Sequence, residues 1–122
     1  MRKTAKNATM ALSLAALFAS ASLMPQLASA NAATIAKGKS VAFNKKTGNC
    51  LACHMLPGGT APGDIGPPLV AMKARFPDRA KLTAQIYDAT AANPSSRMPP
   101  FGKHKALSNA DIDAIVDYLY TL

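Results

Sequence analysis

The feature that most constrains this chain is one short motif that contains both of its cysteines. Cys50 and Cys53 are separated by two residues, and His54 follows directly. The chain has only these two cysteines and only two histidines among 122 residues. Any cross-link, metal site or covalent attachment that uses thiols must therefore form at this motif, and the fold must be built around it.

Three interpretations of the motif compete. A disulfide between Cys50 and Cys53 would close a very small loop, which is typical of thiol redox proteins. Such proteins carry a thioredoxin-like β-α-β pattern, and the flanking sequence shows no alternating strand. A zinc site would need four ligands, and beyond the motif only His104 remains as a fourth. The third interpretation, covalent attachment of haem through C-x-x-C-H, is the one we favour.

The haem interpretation gives a chemical reason for the spacing. Cys50 and Cys53 would form thioethers with the two vinyl groups on one edge of the porphyrin. His54 would then lie beneath the iron as its proximal ligand. A single covalent haem c would also supply core volume to a small chain that has no tryptophan and few other aromatic residues.

Met98 is predicted to be the second axial ligand of the iron. Haem centres that transfer electrons usually take Met or His on the distal face. Met98 is followed by Pro99 and Pro100, which fix φ and stiffen the loop that presents the thioether. His104 is the alternative ligand, although its position between two lysines is typical of exposed surface.

Pro67 is predicted to orient the proximal histidine. A haem-ligating histidine usually donates its other ring N–H to a carbonyl or a carboxylate. The segment Ile-Gly-Pro-Pro-Leu, residues 65–69, follows His54 after a Gly-rich loop, and the Pro67 carbonyl is the candidate acceptor. The same dipeptide, Gly-Pro, is also common in ordinary turns.

The first thirty residues have the pattern of a secretory signal peptide. A basic start precedes an apolar run over residues 8–23, followed by Pro25 and the small residues Ala28–Ala30. We expect cleavage after Ala30. The chain would then consist of a signal peptide, residues 1–30, and a cytochrome c-like domain, residues 31–122, located in the periplasm. The alternative is a retained membrane anchor, for which the run is short.

The charge of the predicted mature chain is positive. Three of the fourteen Lys and Arg residues lie within the first thirty, so eleven would remain against six acids, a formal charge of about +5. Such an excess favours an acidic protein partner over a neutral one. The bases form no dense run, and the sequence therefore does not indicate nucleic-acid binding.

Three helices are predicted, and no strand. The first covers about residues 33–43, the second follows Asp78, and the third follows Ser108, which can form a capping box with Asp111. The remaining sequence is predicted to be Gly- and Pro-rich loop. Apolar residues at helical spacing mark the buried faces of the last two helices: Leu82, Ile86, Tyr87, Ile112, Ile115, Val116 and Leu119.

The first and last helices are predicted to cross closely. Gly38 would allow backbones to approach, and Phe43 would meet Tyr118 across the crossing. With the order C-x-x-C-H, Gly-Pro, Met, this arrangement resembles the class I cytochrome c fold, an all-α domain wrapped around one covalent haem.

Several stretches between residues 48 and 122 go further and resemble the SoxX family. They are GNCLACH, PGDIGPPL, MKARFPDRAKL, NPSSRMPPFGKH and IVDYLYTL, of which RMPPFGKH is the most specific. SoxX is the small monohaem subunit of the SoxAX complex of sulfur-oxidising bacteria. The resemblance implies that Cys50 and Cys53 attach the haem and that His54 and Met98 ligate its iron.

The resemblance also implies partners and a reaction. SoxAX has L-cysteine S-thiosulfotransferase activity and joins thiosulfate oxidatively to a cysteine of the carrier protein SoxYZ. The catalytic haem is expected on a SoxA-like partner, a monohaem or dihaem cytochrome. This chain would carry no catalytic residue and would pass electrons to a downstream cytochrome c. The alternative is a free periplasmic class I cytochrome c that shuttles electrons to an oxidase.

Overall fold

The structure is a computed structural model that describes the backbone from residue 24 and the side chains from residue 31, both to residue 122. The predicted signal peptide, residues 1–30, and its cleavage therefore lie outside the residues described in full and stay predictions. Within the described residues, no helix combines the length and the apolar character needed to cross a membrane.

The described part of the chain contains five α-helices, one 3₁₀ turn and no β-strand, which confirms the all-α prediction. Long loops connect these elements, so most of the polypeptide between the first and last helices follows an irregular path. The elements are α1 (Met24–Phe43), a 3₁₀ turn (Cys50–Ala52), α2 (Met72–Arg75), α3 (Arg79–Tyr87), α4 (Ala89–Ala92) and α5 (Asn109–Leu119).

Helix α1 begins nine residues before the predicted start at residue 33. The added segment places Pro25 in the first turn, where the missing N–H has no intrahelical partner to lose. The residues after it include several alanines, the strongest helix formers. Helix α1 ends at Phe43, and the N–H of Gly48 then donates to the carbonyl of Val41, which turns the chain into the cysteine motif.

Helix α5 has the predicted capping box. The hydroxyl of Ser108 accepts a hydrogen bond from the N–H of Asp111 at 3.1 Å, and the Asp111 carboxylate accepts one from the N–H of Ser108 at 3.4 Å. The predicted apolar face of α5 is buried in the core: Ile112, Ile115, Val116 and Leu119. The start of the helix and the face it buries therefore follow directly from local sequence.

Helices α1 and α5 cross at Gly38, as predicted. A Cβ atom at Gly38 would collide with the backbone carbonyl of Ala114, so only glycine fits at this contact. Next to it, the rings of Phe43 and Tyr118 pack edge to face, with centroids 6.2 Å apart. The crossing thus joins the first and last helices of the described chain directly.

Helix α3 follows the prediction at its start and departs from it at its end. The Asp78 carboxylate accepts a hydrogen bond from the N–H of Ala80, and Leu82 and Ile86 are buried. The prediction that Tyr87 belongs to the same buried stripe is wrong, because 43% of this residue is exposed. The helix ends there, and the Tyr87 ring packs over Gly102 of the following loop instead of entering the core.

Candidate haem-binding site

A cavity of about 610 Å³ lies between the cysteine motif, helix α3 and the loop that precedes α5. Its size falls within the range of about 300–1,000 Å³ that is usual for clefts that bind small molecules and cofactors. The structure brings all five predicted site residues to the lining of this one cavity: Cys50, Cys53, His54, Pro67 and Met98. The alternative ligand, His104, is exposed on the surface and does not line the cavity.

The cysteine motif folds into a tight turn that places its three functional side chains on one wall. Asn49 precedes the turn in the left-handed conformation, with φ of 45°. The carbonyl of Cys50 then accepts hydrogen bonds from the N–H groups of Cys53 and His54, at 3.2 and 2.9 Å. The turn brings Cys50, Cys53 and His54 to the lining of the same cavity.

Both cysteines are free thiols. Burial is the largest influence on Cys50 and raises the pKa of its thiol to about 11, so this thiol is protonated at neutral pH. Within residues 31–122, no three His, Cys, Asp or Glu side chains converge on a position where a metal ion could bind.

The imidazole of His54 is fixed by the loop that follows the motif. Its Nδ1 lies 2.7 Å from the carbonyl oxygen of Pro67. A carbonyl only accepts hydrogen bonds, so Nδ1 donates to it; in the neutral ring the lone pair is then on Nε2, the nitrogen that can bind a metal. Gly66 permits this contact, because a Cβ atom there would run into the imidazole ring.

The thioether of Met98 reaches the cavity from a loop with several internal hydrogen bonds. The N–H of Met98 donates to the hydroxyl of Ser96 at 3.2 Å, and the N–H of Ser95 donates to the side chain of Asn93. Beyond the two prolines, the N–H of Gly102 donates to the carbonyl of the last residue of α3 at 3.0 Å. The loop is therefore attached to α3 after Met98 and ordered by side-chain contacts before it.

The other two methionines of the mature segment have different environments. Met72 also lines the cavity, but it is 2% exposed and its side chain is part of the hydrophobic core. Met55 is 38% exposed and follows His54 directly in the chain. Met98 is partly buried and lines the cavity from a loop far from the cysteine motif in sequence. Its thioether is a soft sulfur ligand.

The rest of the cavity lining suits a large, mostly apolar group with acidic substituents. Its walls include Leu69, Leu82, Ile86 and Ile115 among other apolar side chains, and its only charged residues are Arg75 and Arg97. The Arg75 guanidinium donates to the carbonyl oxygen of Pro68 at 2.6 Å, which holds it at the rim. Haem has an apolar ring and two carboxylates. The cavity matches it with apolar walls, two guanidinium groups, paired thiols, an imidazole and a thioether.

Sequence reasoning did not find three residues that shape this site: Gly66, Gln85 and Arg97. The amide nitrogen of Gln85 lies 4.0 Å from the sulfur of Met98. Gly66 directly precedes Pro67, so the prediction for Pro67 could have been extended to it. Gln85 and Arg97 had no such signal, because they reach the cavity only through the packing of α3 and the Met98 loop.

A small all-α domain with a C-x-x-C-H motif and a methionine loop on one cavity is a c-type cytochrome. The comparison with protein families agrees, because residues 33–119 match the family described as cytochrome c oxidase, cbb3-type, subunit III. This match covers most of the chain, and the chain therefore belongs to this family of c-type cytochromes. A comparison with curated proteins finds no match. Membership of the family implies a covalently bound haem c and a role in electron transfer.

Proposed function

We propose that this chain is a monohaem electron-transfer protein in which Cys50 and Cys53 attach haem c and His54 and Met98 ligate its iron. The observation that carries the proposal is the convergence of these four side chains on one cavity with apolar walls. When bound, the haem supplies a centre that accepts and releases one electron. Both cysteines are used for attachment, which leaves the chain no thiol for covalent catalysis.

In this proposal the protein's own residues set the properties of the centre. The carbonyl of Pro67 keeps the proton of His54 on Nδ1, so Nε2 is available to the iron. The Met98 loop presents a thioether as the second ligand, and a methionine ligand opposite a histidine raises the reduction potential. The apolar walls exclude water, which further favours the less charged, reduced state.

The ligand assignment is tested by Met98→Ala. We expect this variant to keep its covalent haem, to bind added imidazole or azide at the open position, and to have a lower reduction potential than the unchanged protein. The matched control is Met55→Ala, which removes an exposed methionine next to His54 and should leave the spectrum unchanged. An unchanged visible spectrum and potential in Met98→Ala would transfer the ligand role to another residue, with His104 the first to examine.

We propose further that the chain is the SoxX-type subunit of a SoxAX complex, an L-cysteine S-thiosulfotransferase, in the periplasm. The support is the resemblance of the sequence, and its most specific segment, residues 97–104, is the one that includes Met98 and the loop beyond it. Electrons from the oxidative coupling of thiosulfate to SoxYZ would enter through a SoxA-like partner. They would leave this chain to a downstream cytochrome c, while catalysis stays on the partner.

A second candidate is a free periplasmic cytochrome c that delivers electrons to an oxidase. The family description, which names a subunit of a cytochrome c oxidase, is compatible with this candidate. The distribution of charge supports it, because four of the six acids are in ion pairs while lysines such as Lys39, Lys45 and Lys46 have none within the described residues. Unpaired basic side chains favour weak, salt-sensitive contacts with acidic partners.

Gentle purification of the haem-loaded protein from the periplasm of its host distinguishes the two candidates. A SoxA-like c-type cytochrome present in equal amount, and retained when the salt concentration is raised, would support the SoxX-type role. A red monomer without a partner at low salt would contradict that role and favour the free carrier. Electron transfer itself is tested separately, by reversible one-electron reduction of the isolated protein.

A further inference from the structure

We propose, on the basis of the proposed function, that Gln85 is a positioning residue that orients the Met98 thioether and raises the reduction potential of the haem centre. Gln85 lies on α3 and lines the same cavity as Met98. Its amide nitrogen is 4.0 Å from the Met98 sulfur. A thioether only accepts hydrogen bonds, so the NH₂ group of the amide, and not its carbonyl, faces the sulfur.

The amide has little else to bond with. Gln85 is partly buried, and among the described residues its side chain has no hydrogen-bond partner other than Met98. A polar group that lines an apolar cavity loses water when the cavity is filled, and it is stable there only if it finds another partner. The sulfur of Met98 is the acceptor within reach. The contact between the amide and the sulfur is therefore more important when a bound group displaces water from the cavity.

The two partners belong to one rigid unit. On α3, the buried side chains of Leu82 and Ile86 flank Gln85 and anchor this part of the helix in the core. The carbonyl of Tyr87, two residues further on, accepts hydrogen bonds from the N–H groups of Gly102 and Lys103 at 3.0 and 3.2 Å. The Met98 loop is therefore attached to the same helix that carries the amide, and these backbone contacts keep the two side chains near each other.

This contact has an electrostatic consequence for the iron that Met98 would ligate. The N–H group directs the positive end of its dipole at the sulfur, which withdraws electron density from the ligand. A fixed positive dipole near the iron favours the reduced state, which carries one positive charge less. Removal of the donor should therefore lower the reduction potential.

The test is Gln85→Leu, which keeps a side chain of similar size and removes the hydrogen-bond donor. The matched control is Thr83→Val, the same kind of polar-to-apolar exchange two residues away on α3, at a position that lines a different surface groove. For haem-loaded proteins, we would measure the reduction potential, the methionine-to-iron absorption band of the oxidised state and the free energy of unfolding. Gln85→Ala serves as a second variant if Gln85→Leu does not fold.

We expect Gln85→Leu to change the equilibrium between reduced and oxidised protein about twofold to threefold toward oxidised, a fall of about 20 to 30 mV at 59 mV per tenfold. Thr83→Val should stay at the potential of the unchanged protein. Loss of the methionine-to-iron band in Gln85→Leu alone would also support the positioning role. A potential for Gln85→Leu equal to that of Thr83→Val, or a higher one, would overturn the inference.

Failure of the inference and failure of the proposed function give different results. If the unchanged protein itself lacks the methionine-to-iron band, Met98 is not a ligand and the ligand assignment fails. If the band is present in the unchanged protein and absent from Met98→Ala, the ligand assignment stands. In that case the Gln85 variants decide only whether the amide acts on the centre.

Discussion

Two glycines shape this molecule by leaving space for other groups. At Gly38 the missing side chain lets the backbone of α5 approach α1, and at Gly66 it lets a loop lie against the imidazole of His54. In both positions a Cβ atom would overlap its neighbour, at Gly38 a backbone carbonyl and at Gly66 an aromatic ring. Both requirements are steric, and each is tested by the addition of a single methyl group.

Gly66→Ala is expected to displace the His54 ring and to break its hydrogen bond with Pro67. The crowding should lower the free energy of unfolding by about 1–3 kcal/mol. NMR of the reduced, haem-loaded protein should show faster solvent exchange of the Nδ1 proton of His54. The control is Gly58→Asn, at a position with φ of 81° and no atom within 4 Å of the added Cβ, since Asn tolerates that conformation. Slow exchange retained in Gly66→Ala would contradict the steric role.

The residues of the site differ in how far the sequence predicts them. Cys50, Cys53 and His54 follow from a contiguous motif, and Met98 follows from the two prolines directly after it. The contact of Gln85 with Met98 joins positions thirteen residues apart in sequence. No local pattern specifies it, because it depends on how the Met98 loop folds back on α3.

At the level of elements, the junction of α1 and α5 determines how the fold closes. The Gly38 contact sets the distance between the two helices, and the Phe43 and Tyr118 rings fill the space beside it. The ammonium of Lys37 then pairs with the Asp111 carboxylate at 2.8 Å, close to the start of α5. Steric fit, apolar packing and charge thus all act at one crossing.

Gly38→Ala is expected to force the two helices apart, because the atom it meets is a backbone carbonyl that cannot rotate away. Overpacking of this kind costs about 1–3 kcal/mol, and we expect the upper end. Denaturant unfolding of the haem-loaded protein measures the effect. Ser40→Ala, an exposed exchange on the same helix, should leave stability nearly unchanged or slightly higher. A loss in Gly38→Ala no larger than in Ser40→Ala would be evidence against the close crossing.

Asp111 makes the junction sensitive to acid. Hydrogen bonds from Lys37, the larger influence, and from Ser108 lower the pKa of its carboxyl group. The unfolded chain binds a proton at this group near pH 3.9, at a higher pH than the folded protein does. The stabilisation is therefore complete above about pH 5 and is lost as the pH falls through the lower folded pKa.

Lys37→Met should reduce this acid dependence. We expect the free energy of unfolding of the variant to fall less steeply than that of the unchanged protein as the pH is lowered from about 5, because the main cause of the shift is gone. Lys39→Met removes a lysine of the same helix that forms no ion pair within the described residues, and it should keep the original slope. Equal slopes in both variants would show that Lys37 has no such role.

A helix boundary or a buried face could be predicted where the residues that determine it are close together in sequence. The caps of α3 and α5 and the buried face of α5 were predicted correctly, because each depends on residues within a few positions of one another. The start of α1 and the exposure of Tyr87 were not. For Tyr87 the deciding interaction is a contact with Gly102, fifteen residues away, which no helical pattern contains.

For the molecule as a whole, the cavity is continuous with the hydrophobic core, since several core side chains also line it. Buried side chains from α3 and α5, such as Leu82, Ile86, Ile115 and Leu119, line it directly. A large apolar group in the cavity would add packing contacts to these side chains, and the loss of such contacts is costly in a small core. The cofactor is therefore expected to be part of the folded structure as well as the redox centre.

The double variant Cys50→Ala with Cys53→Ala tests this dependence. Produced with the same haem-attachment machinery, it should lack covalent haem and lose much of its helical circular dichroism and its cooperative thermal unfolding, since small domains with incomplete cores are marginally stable. Met55→Ala, which leaves the motif intact, should retain both. A colourless double variant with full helicity and a sharp unfolding transition would show that the polypeptide folds without its cofactor.

The attachment of the Met98 loop to α3 also bears on the speed of electron transfer. The N–H groups of Gly102 and Lys103 donate to the Tyr87 carbonyl after the methionine, and the N–H of Met98 itself donates to the Ser96 hydroxyl. If Met98 ligates the iron, a side chain held on both sides would move little when the charge on the metal changes, so few nuclear positions would have to readjust for each electron. Small reorganisation lowers the barrier for transfer in both directions, which suits a protein with a role in electron transfer.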